Sequence, residues 1–225
     1  MSHQPGNITD FDAIIFDMDG LLIDTEKLSY ESFKTTAEAY DQIFQFDDYR
    51  QLIGRNAKTG IDILRNMLPA NIDAAKFKDD WLDVYRQHLD AHIEVKPGAH
   101  QLLACLEKMQ IPRAVATSSS GHTARATLKR VGLWQYIPHL TGGDEVRAGK
   151  PAPDVYLDSA KKLGADALRC IAFEDSETGI KAALAAGMRV IQIPDLIAAE
   201  RAPAPPAFYL ASSLREGAAL LGIDL

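Results

Sequence analysis

The run Ala13-Ile-Ile-Phe16 stops abruptly at Asp17-Met-Asp19-Gly20, and no other feature limits the fold of this chain so strongly. Four apolar residues without alternation read as a strand buried on both faces, as in a parallel sheet. Its end places Asp17 and Asp19 at the C-terminal edge of that sheet, where open α/β folds bind ligands. Two acids one residue apart repel each other, so a cation or a shared proton belongs between them.

The rest of the chain supplies the partners such a strand needs. From residue 96 onward, strands and helices alternate. Gly98 to Met109 carries Leu102, Leu103, Leu106 and Met109 at helical spacing. Arg113–Thr117 reads as a strand, and Thr123–Val131 as a helix stopped by Gly132. Pro153–Leu163 is a further helix closed by Gly164, and Cys170–Phe173 a further strand. Ser176 is placed to cap the next helix, Arg189–Ile193 is the following strand, and Phe208–Leu210 is a last edge strand. Repeated strand–helix units imply a parallel sheet with helices on both faces.

Residues 25–92 break this rhythm. Leu28-Tyr30-Phe33, Ile61-Ile63-Leu64-Met67-Leu68 and Trp81-Leu82-Val84-Tyr85-Leu89 are amphipathic helical stretches with no strand among them. The expected organisation is therefore a Rossmann-like, doubly wound α/β core built from residues 1–24 and 93–225, interrupted by an all-helical insert over 25–92. The Pro/Ala stretch Ala202–Ala207 reads as a surface loop. At 225 residues the chain has room for one substantial core and a second small domain. A net charge of −7 gives no electrostatic reason to bind nucleic acid or an anionic membrane. The polar start carries no signal-peptide pattern, and no apolar run approaches membrane-spanning length. Cys105, on an apolar helix face, and Cys170, opening a strand, are expected to be buried thiols, which fits a cytoplasmic protein.

Three strand ends carry polar groups in chain order: Asp17 and Asp19, then Thr117-Ser118-Ser119-Ser120, then Glu174-Asp175-Ser176. Lys150 stands between the last two, in the turn Gly149-Lys150-Pro151. If the strands are parallel, these groups converge on one edge. Oxygen donors of this kind suit Mg²⁺, usually with a substrate phosphate completing the shell. Phosphoryl transfer depends mainly on such positioning and charge neutralisation, with one aspartate as nucleophile and the other moving the proton. Taken singly, each element has an ordinary reading. Asp-x-Asp-Gly is most often a solvated turn, Lys150 a surface lysine, Thr117 a strand-end residue, and Glu174-Asp175-Ser176 a helix start. An EF-hand is excluded, because Leu22 and Leu28 stand where its glycine and glutamate are required. All four in this order, each just after a strand, favour catalysis.

These residues resemble the four motifs of the haloacid dehalogenase superfamily of phosphotransferases. Asp17-Met-Asp19-Gly20, running into Leu-Leu-Ile-Asp-Thr-Glu, is similar to the first motif in its β-phosphoglucomutase-like and sugar-phosphatase branch. Thr117-Ser118, Lys150-Pro151 and Glu174-Asp175-Ser176 match the remaining three. The resemblance implies that Asp17 forms an aspartyl-phosphate and ligates Mg²⁺. It implies that Asp19 is the general acid/base and offers its backbone carbonyl to the metal. Thr117 and the Ser118 amide, with Gly20 beside them, would hold phosphate; Lys150 would steady Asp17. Glu174 and Asp175 would ligate Mg²⁺, and the helical insert would be a mobile cap. Within the insert, Leu52-Ile-Gly54-Arg55-Asn56 resembles the loop where relatives place a substrate-contacting arginine, so Arg55, with Lys58 and Glu26, is a candidate substrate contact. Mutases of this branch carry a histidine where Ser29 stands, which favours hydrolysis over the alternative of a phosphosugar mutase. A non-catalytic binding protein would predict loss of at least one motif residue, and all are present. The expected partner is a small phosphorylated metabolite, and the default assembly a monomer.

Overall fold

The computed structural model describes residues 8, 10–53, 57–91, 93–195 and 207–225. The chain divides into two compact units, one formed by Met1–Ile23 with Val95–Leu225 and the other by Asp24–Glu94.

The first unit is the α/β core. Its sheet contains β1 (Ala13–Phe16), β2 (Arg113–Ala116), β3 (His139–Thr141), β4 (Cys170–Glu174), β5 (Arg189–Gln192) and β6 (Phe208–Leu210). The spatial order is β3-β2-β1-β4-β5-β6, with every neighbouring pair parallel. All residues of β1, β2 and β4 are buried: the apolar stretches that fill them, and also Arg113 at the start of β2 and Glu174 at the end of β4. The chain builds outward from β1 on one side through β2 and β3, then crosses back to build β4, β5 and β6 on the other. The reversal therefore falls between β1 and β4, the position where such sheets open a crevice at their carboxyl ends.

The second unit contains α1 (Thr25–Ala39), α2 (Phe46–Arg50), α3 (Ala57–Met67) and α4 (Ala74–Ala91), with no strand among its described residues. Helix α1 packs along α4. Trp81 Nε1 of α4 donates to the Ser29 carbonyl of α1 at 3.0 Å, and Ser32 Oγ lies 2.9 Å from His88 Nδ1. Phe33 is fully buried at the centre, with its ring 5.3–5.8 Å from those of Phe44, Tyr49, Phe77 and Trp81.

In the core unit, α5 (Ala99–Lys108), α6 (Gly121–Arg130), α7 (Asp154–Leu163), α8 (Glu177–Ala185) and α9 (Leu214–Leu220) flank the sheet. Val155 and Tyr156 of α7 and Ile180 and Ala183 of α8 pack with Ile15, Ala172 and Val190 on one face. Phe16 and Phe173 meet on the other face, ring centroids 5.0 Å apart. There α9 comes so near that a Cβ on Gly217 would lie 2.7 Å from the Phe173 ring.

Three elements lack a counterpart in the sequence reading, among them the single-turn helix α2. Strand β3 is only three residues long and starts at an exposed His139, too short to show a pattern. Helix α9, Leu214-Arg-Glu-Gly-Ala-Ala-Leu220, has small residues in place of a large apolar face. One expectation is corrected: Cys170 is buried, but Cys105 is only half-buried, because it lies at the margin of the α5 face, 3.8 Å from Met109 Sδ. No described helix is long and apolar enough to cross a membrane. Of the stretch Ala202–Ala207, all but Ala207 lies outside the described residues.

Candidate active site

Asp17 leaves β1 at the point of reversal. Its amide donates to the Phe173 carbonyl at 3.0 Å, which extends the β1–β4 ladder by one residue and brings the side chain out at the strand end. Lys150 Nζ lies 2.5 Å from Asp17 Oδ1 and 2.6 Å from Glu174 Oε1, so a single ammonium bridges acids from two neighbouring strands. All three are buried: the side chains of Lys150, Asp17 and Glu174 are 5%, 8% and 0% exposed. A buried charge must be paired and hydrogen-bonded, and Glu174 is. Its Oε1 also accepts from Tyr156 Oη at 2.5 Å, and its Oε2 from the Ser176 amide at 3.3 Å and the Ser176 hydroxyl at 3.1 Å. Ser176 Oγ in turn accepts from the Gly179 amide at 3.1 Å and caps α8. Gly179 makes the arrangement possible, since a Cβ there would stand 1.8 Å and 2.2 Å from the two Glu174 oxygens.

Asp175 completes the acidic group. Asp17, Glu174 and Asp175 each bring an oxygen into a set whose members all lie within 4.8 Å of one another. Three carboxylates against one ammonium leave net negative charge in a buried place. Burial pushes the Asp17 carboxyl up to about 8; the Lys150 ammonium opposes this, while the Glu174 and Asp19 carboxylates add to it. Burial also disfavours the Lys150 ammonium, but the Asp17 and Glu174 carboxylates outweigh it and hold the lysine above its usual value. An all-oxygen, excess-negative donor set of this kind fits a hard divalent cation such as Mg²⁺.

Asp19 engages the hydroxyls at the end of β2. Its Oδ2 accepts from Thr117 Oγ1 at 3.1 Å and Ser119 Oγ at 2.9 Å. Thr117 is itself fixed at the end of β2, its amide donating to the Thr141 carbonyl at 3.1 Å and its hydroxyl accepting from the Ser119 amide at 3.0 Å. Ser118, between them, is exposed. The turn after Asp19 needs Gly20, whose φ is +82° and whose missing Cβ would sit 2.3 Å from Asp175 Oδ2.

Of the residues singled out from sequence, the structure thus gathers Asp17, Lys150, Glu174 and Asp175 into one cluster, and links Asp19 to Thr117 in a second. Glu26 stands in the first turn of α1, where Tyr49 Oη donates to its Oε2 at 3.3 Å. Arg55 lies outside the described residues, as does the Lys58 side chain. Sequence reasoning missed Ser119 and Tyr156. Ser119 belongs to the Thr117–Ser120 hydroxyl run, where nothing separates one serine from the next. Tyr156 reads as an apolar helix position, and only tertiary packing brings its hydroxyl to Glu174.

Comparison with known proteins places this geometry. Residues 14–193 match the haloacid dehalogenase-like hydrolase family. The chain is 32% identical over 180 residues to a phosphorylated carbohydrates phosphatase of Thermotoga maritima, spanning 80% of this chain and 83% of that protein. It is 33% identical over 199 residues to (DL)-glycerol-3-phosphatase 2 of Arabidopsis thaliana, spanning 84% and 81%. Among solved structures, CbbY from Rhodobacter sphaeroides in complex with phosphate superposes with a TM-score of 0.74 at 29% identity, covering 95% of this chain and 100% of that one. The family match runs from β1 through β5 and includes the segments that bear each motif, and the chain belongs to the haloacid dehalogenase-like hydrolase family.

Proposed function

We propose that this protein hydrolyses a small phosphate monoester, a sugar or polyol phosphate, by way of an aspartyl-phosphate on Asp17 with Mg²⁺ as cofactor. It is a phosphatase of the haloacid dehalogenase type. The observation that carries the reading is the pairing of Asp17 with Lys150 at 2.5 Å beside two further acids, while Asp19 accepts from the Thr117 and Ser119 hydroxyls. Two carboxylates in different surroundings can take different roles.

Asp17, Glu174 and Asp175 would hold the metal, with the Asp19 backbone carbonyl. When bound, the cation neutralises charge on the acids and on the phosphoryl oxygens. In the first half-reaction an Asp17 oxygen attacks phosphorus and the bond to the ester oxygen breaks. Asp19 enters protonated and gives its proton to the departing oxygen. In the second, the Asp19 carboxylate takes a proton from water, the water oxygen attacks phosphorus, and the bond to Asp17 breaks, releasing inorganic phosphate. Lys150 orients Asp17, and Tyr156 and Ser176 keep Glu174 in place to hold Lys150. The hydroxyl of Thr117 and the Ser118 amide bind phosphoryl oxygens. Substrate choice falls to the helical unit, through Glu26 and Arg55.

The test is phosphate release from a panel of sugar and polyol phosphates with and without Mg²⁺, for the wild type and Asp17→Asn. Wild-type turnover that needs Mg²⁺ and falls roughly 10⁴-fold or more in the variant is expected. Retained turnover in Asp17→Asn, with the fold intact by circular dichroism, removes Asp17 as nucleophile.

A further inference from the structure

Lys96 and Asp195 form a second, partly buried ion pair in the core unit, with side chains 18% and 9% exposed. Nothing in the chemistry above uses it. An enclosed or partly enclosed pair is weak evidence for stability, since apolar replacements of similar volume often do as well, so its position is the informative part. Lys96 follows the antiparallel bridge between Ile23 and Val95, and its amide donates to the Leu22 carbonyl at 3.0 Å. Asp195 follows β5 at the point where the Ile193 amide donates to the Glu174 carbonyl at 2.7 Å. Lys96 is thus anchored by its own amide, and Asp195 lies two residues beyond an anchored one, each beside a segment that bears site residues. A Cβ built on Gly20 would lie 2.3 Å from Asp175 Oδ2 and 3.2 Å from Asp195 Oδ2, so those two oxygens are no more than 5.5 Å apart.

We infer that Lys96 and Asp195 are a charge-balanced positioning pair that sets the cation affinity of the Asp17–Glu174–Asp175 group. This rests on the metal reading given above. Asp195 adds negative charge just outside the three acids, and Lys96 cancels enough of it to keep Asp175 from being repelled. Neither residue touches the reacting atoms. Removing one member should shift cation affinity in a direction set by charge, and removing both should restore it. A merely structural pair would behave otherwise, with neither single variant binding the cation more tightly than wild type.

The experiment is isothermal titration calorimetry of Mg²⁺ into the full chain without substrate, alongside the metal-free melting temperature of each variant. Asp195→Asn removes a negative charge from beside the acids and should weaken Mg²⁺ binding on the order of tenfold. Lys96→Met should bind Mg²⁺ more tightly than wild type, and the double variant should return to within about threefold of it. Lys96→Gln replaces Lys96→Met if the latter does not fold. Unchanged affinity in Asp195→Asn, weaker binding in the Lys96 variant, or a double variant as weak as Asp195→Asn overturns the inference while leaving the metal reading intact. Absence of Mg²⁺ binding by the wild type overturns the metal reading itself, and this inference with it.

Discussion

The two units of this chain handle the cost of burial in opposite ways. In the sheet unit, charge goes inside: Lys150, Asp17 and Glu174 are almost wholly enclosed, tied by bonds of 2.5 Å and 2.6 Å. In the helical unit, rings go inside and charge stays out. Phe33 sits among four other aromatic side chains, while the ion pairs Arg65–Asp62 and Arg86–Asp83 have every side chain more than half exposed. Aromatic packing is tolerant of small shifts and holds a helix bundle together. An enclosed ammonium between two carboxylates tolerates almost none, because a misplaced charge in low dielectric is expensive. The sheet unit accepts that rigidity where chemistry needs it.

The sharpest way to break the contrast is Lys150→Met. The substitution leaves Asp17 and Glu174 facing each other without their shared ammonium. Activity should fall about 10³-fold, as for loss of a preorganised electrostatic partner. Stability should drop by about 3 kcal/mol, the lower end for breaking a buried pair, because Asp17 is already inclined to take up a proton and relieve the repulsion. Phosphate release and urea unfolding measure the two effects. A variant as stable as wild type shows that Lys150 contributes nothing to holding the two acids together.

How much of this contrast was legible beforehand follows from what each kind of residue advertises. Strands β1, β2 and β4 were readable because full burial on both faces leaves an uninterrupted apolar run, and Asp17, Thr117 and Glu174 were readable because a polar residue ending such a run must emerge at the sheet edge. The helical unit announced itself by aromatic and aliphatic residues at helical spacing, Phe33 and Trp81 among them. Partnership was not legible. Tyr156 looks like any other apolar position of α7, yet its hydroxyl meets Glu174, and Lys96 and Asp195 are 99 residues apart in the chain. Local pattern encodes whether a side chain is buried; which polar groups meet depends on the crossovers. Cys105 errs for a related reason, since the edge of an amphipathic face cannot be fixed to one residue by periodicity.

Phe33→Ala tests the other side of the comparison. The ring is fully buried among Phe44, Tyr49, Phe77 and Trp81, so its loss opens a cavity. About 3 kcal/mol of stability should be lost, toward the low end for Phe→Ala because the surrounding rings can lean in. Urea unfolding reads it. If stability falls by less than about 1 kcal/mol, the aromatic cluster is not what holds the helices together.

The smallest effect belongs to the exposed charges of the helical unit. Arg86 and Asp83 lie three residues apart on α4, linked at 2.5 Å but with side chains 65% and 63% exposed. Water and salt screen such a pair, and holding two long side chains in one geometry costs rotamer freedom. Arg86→Ala should therefore change stability by less than about 0.5 kcal/mol, a difference further reduced in high salt. It provides the counterpart to Lys150→Met: two cations, each at about 2.5 Å from a carboxylate, one enclosed between two acids and the other in solvent beside one. A loss from Arg86→Ala comparable to that from Lys150→Met, measured by the same urea unfolding, would show that distance rather than burial governs the worth of an ion pair here, and the contrast between the two units would lose its physical basis.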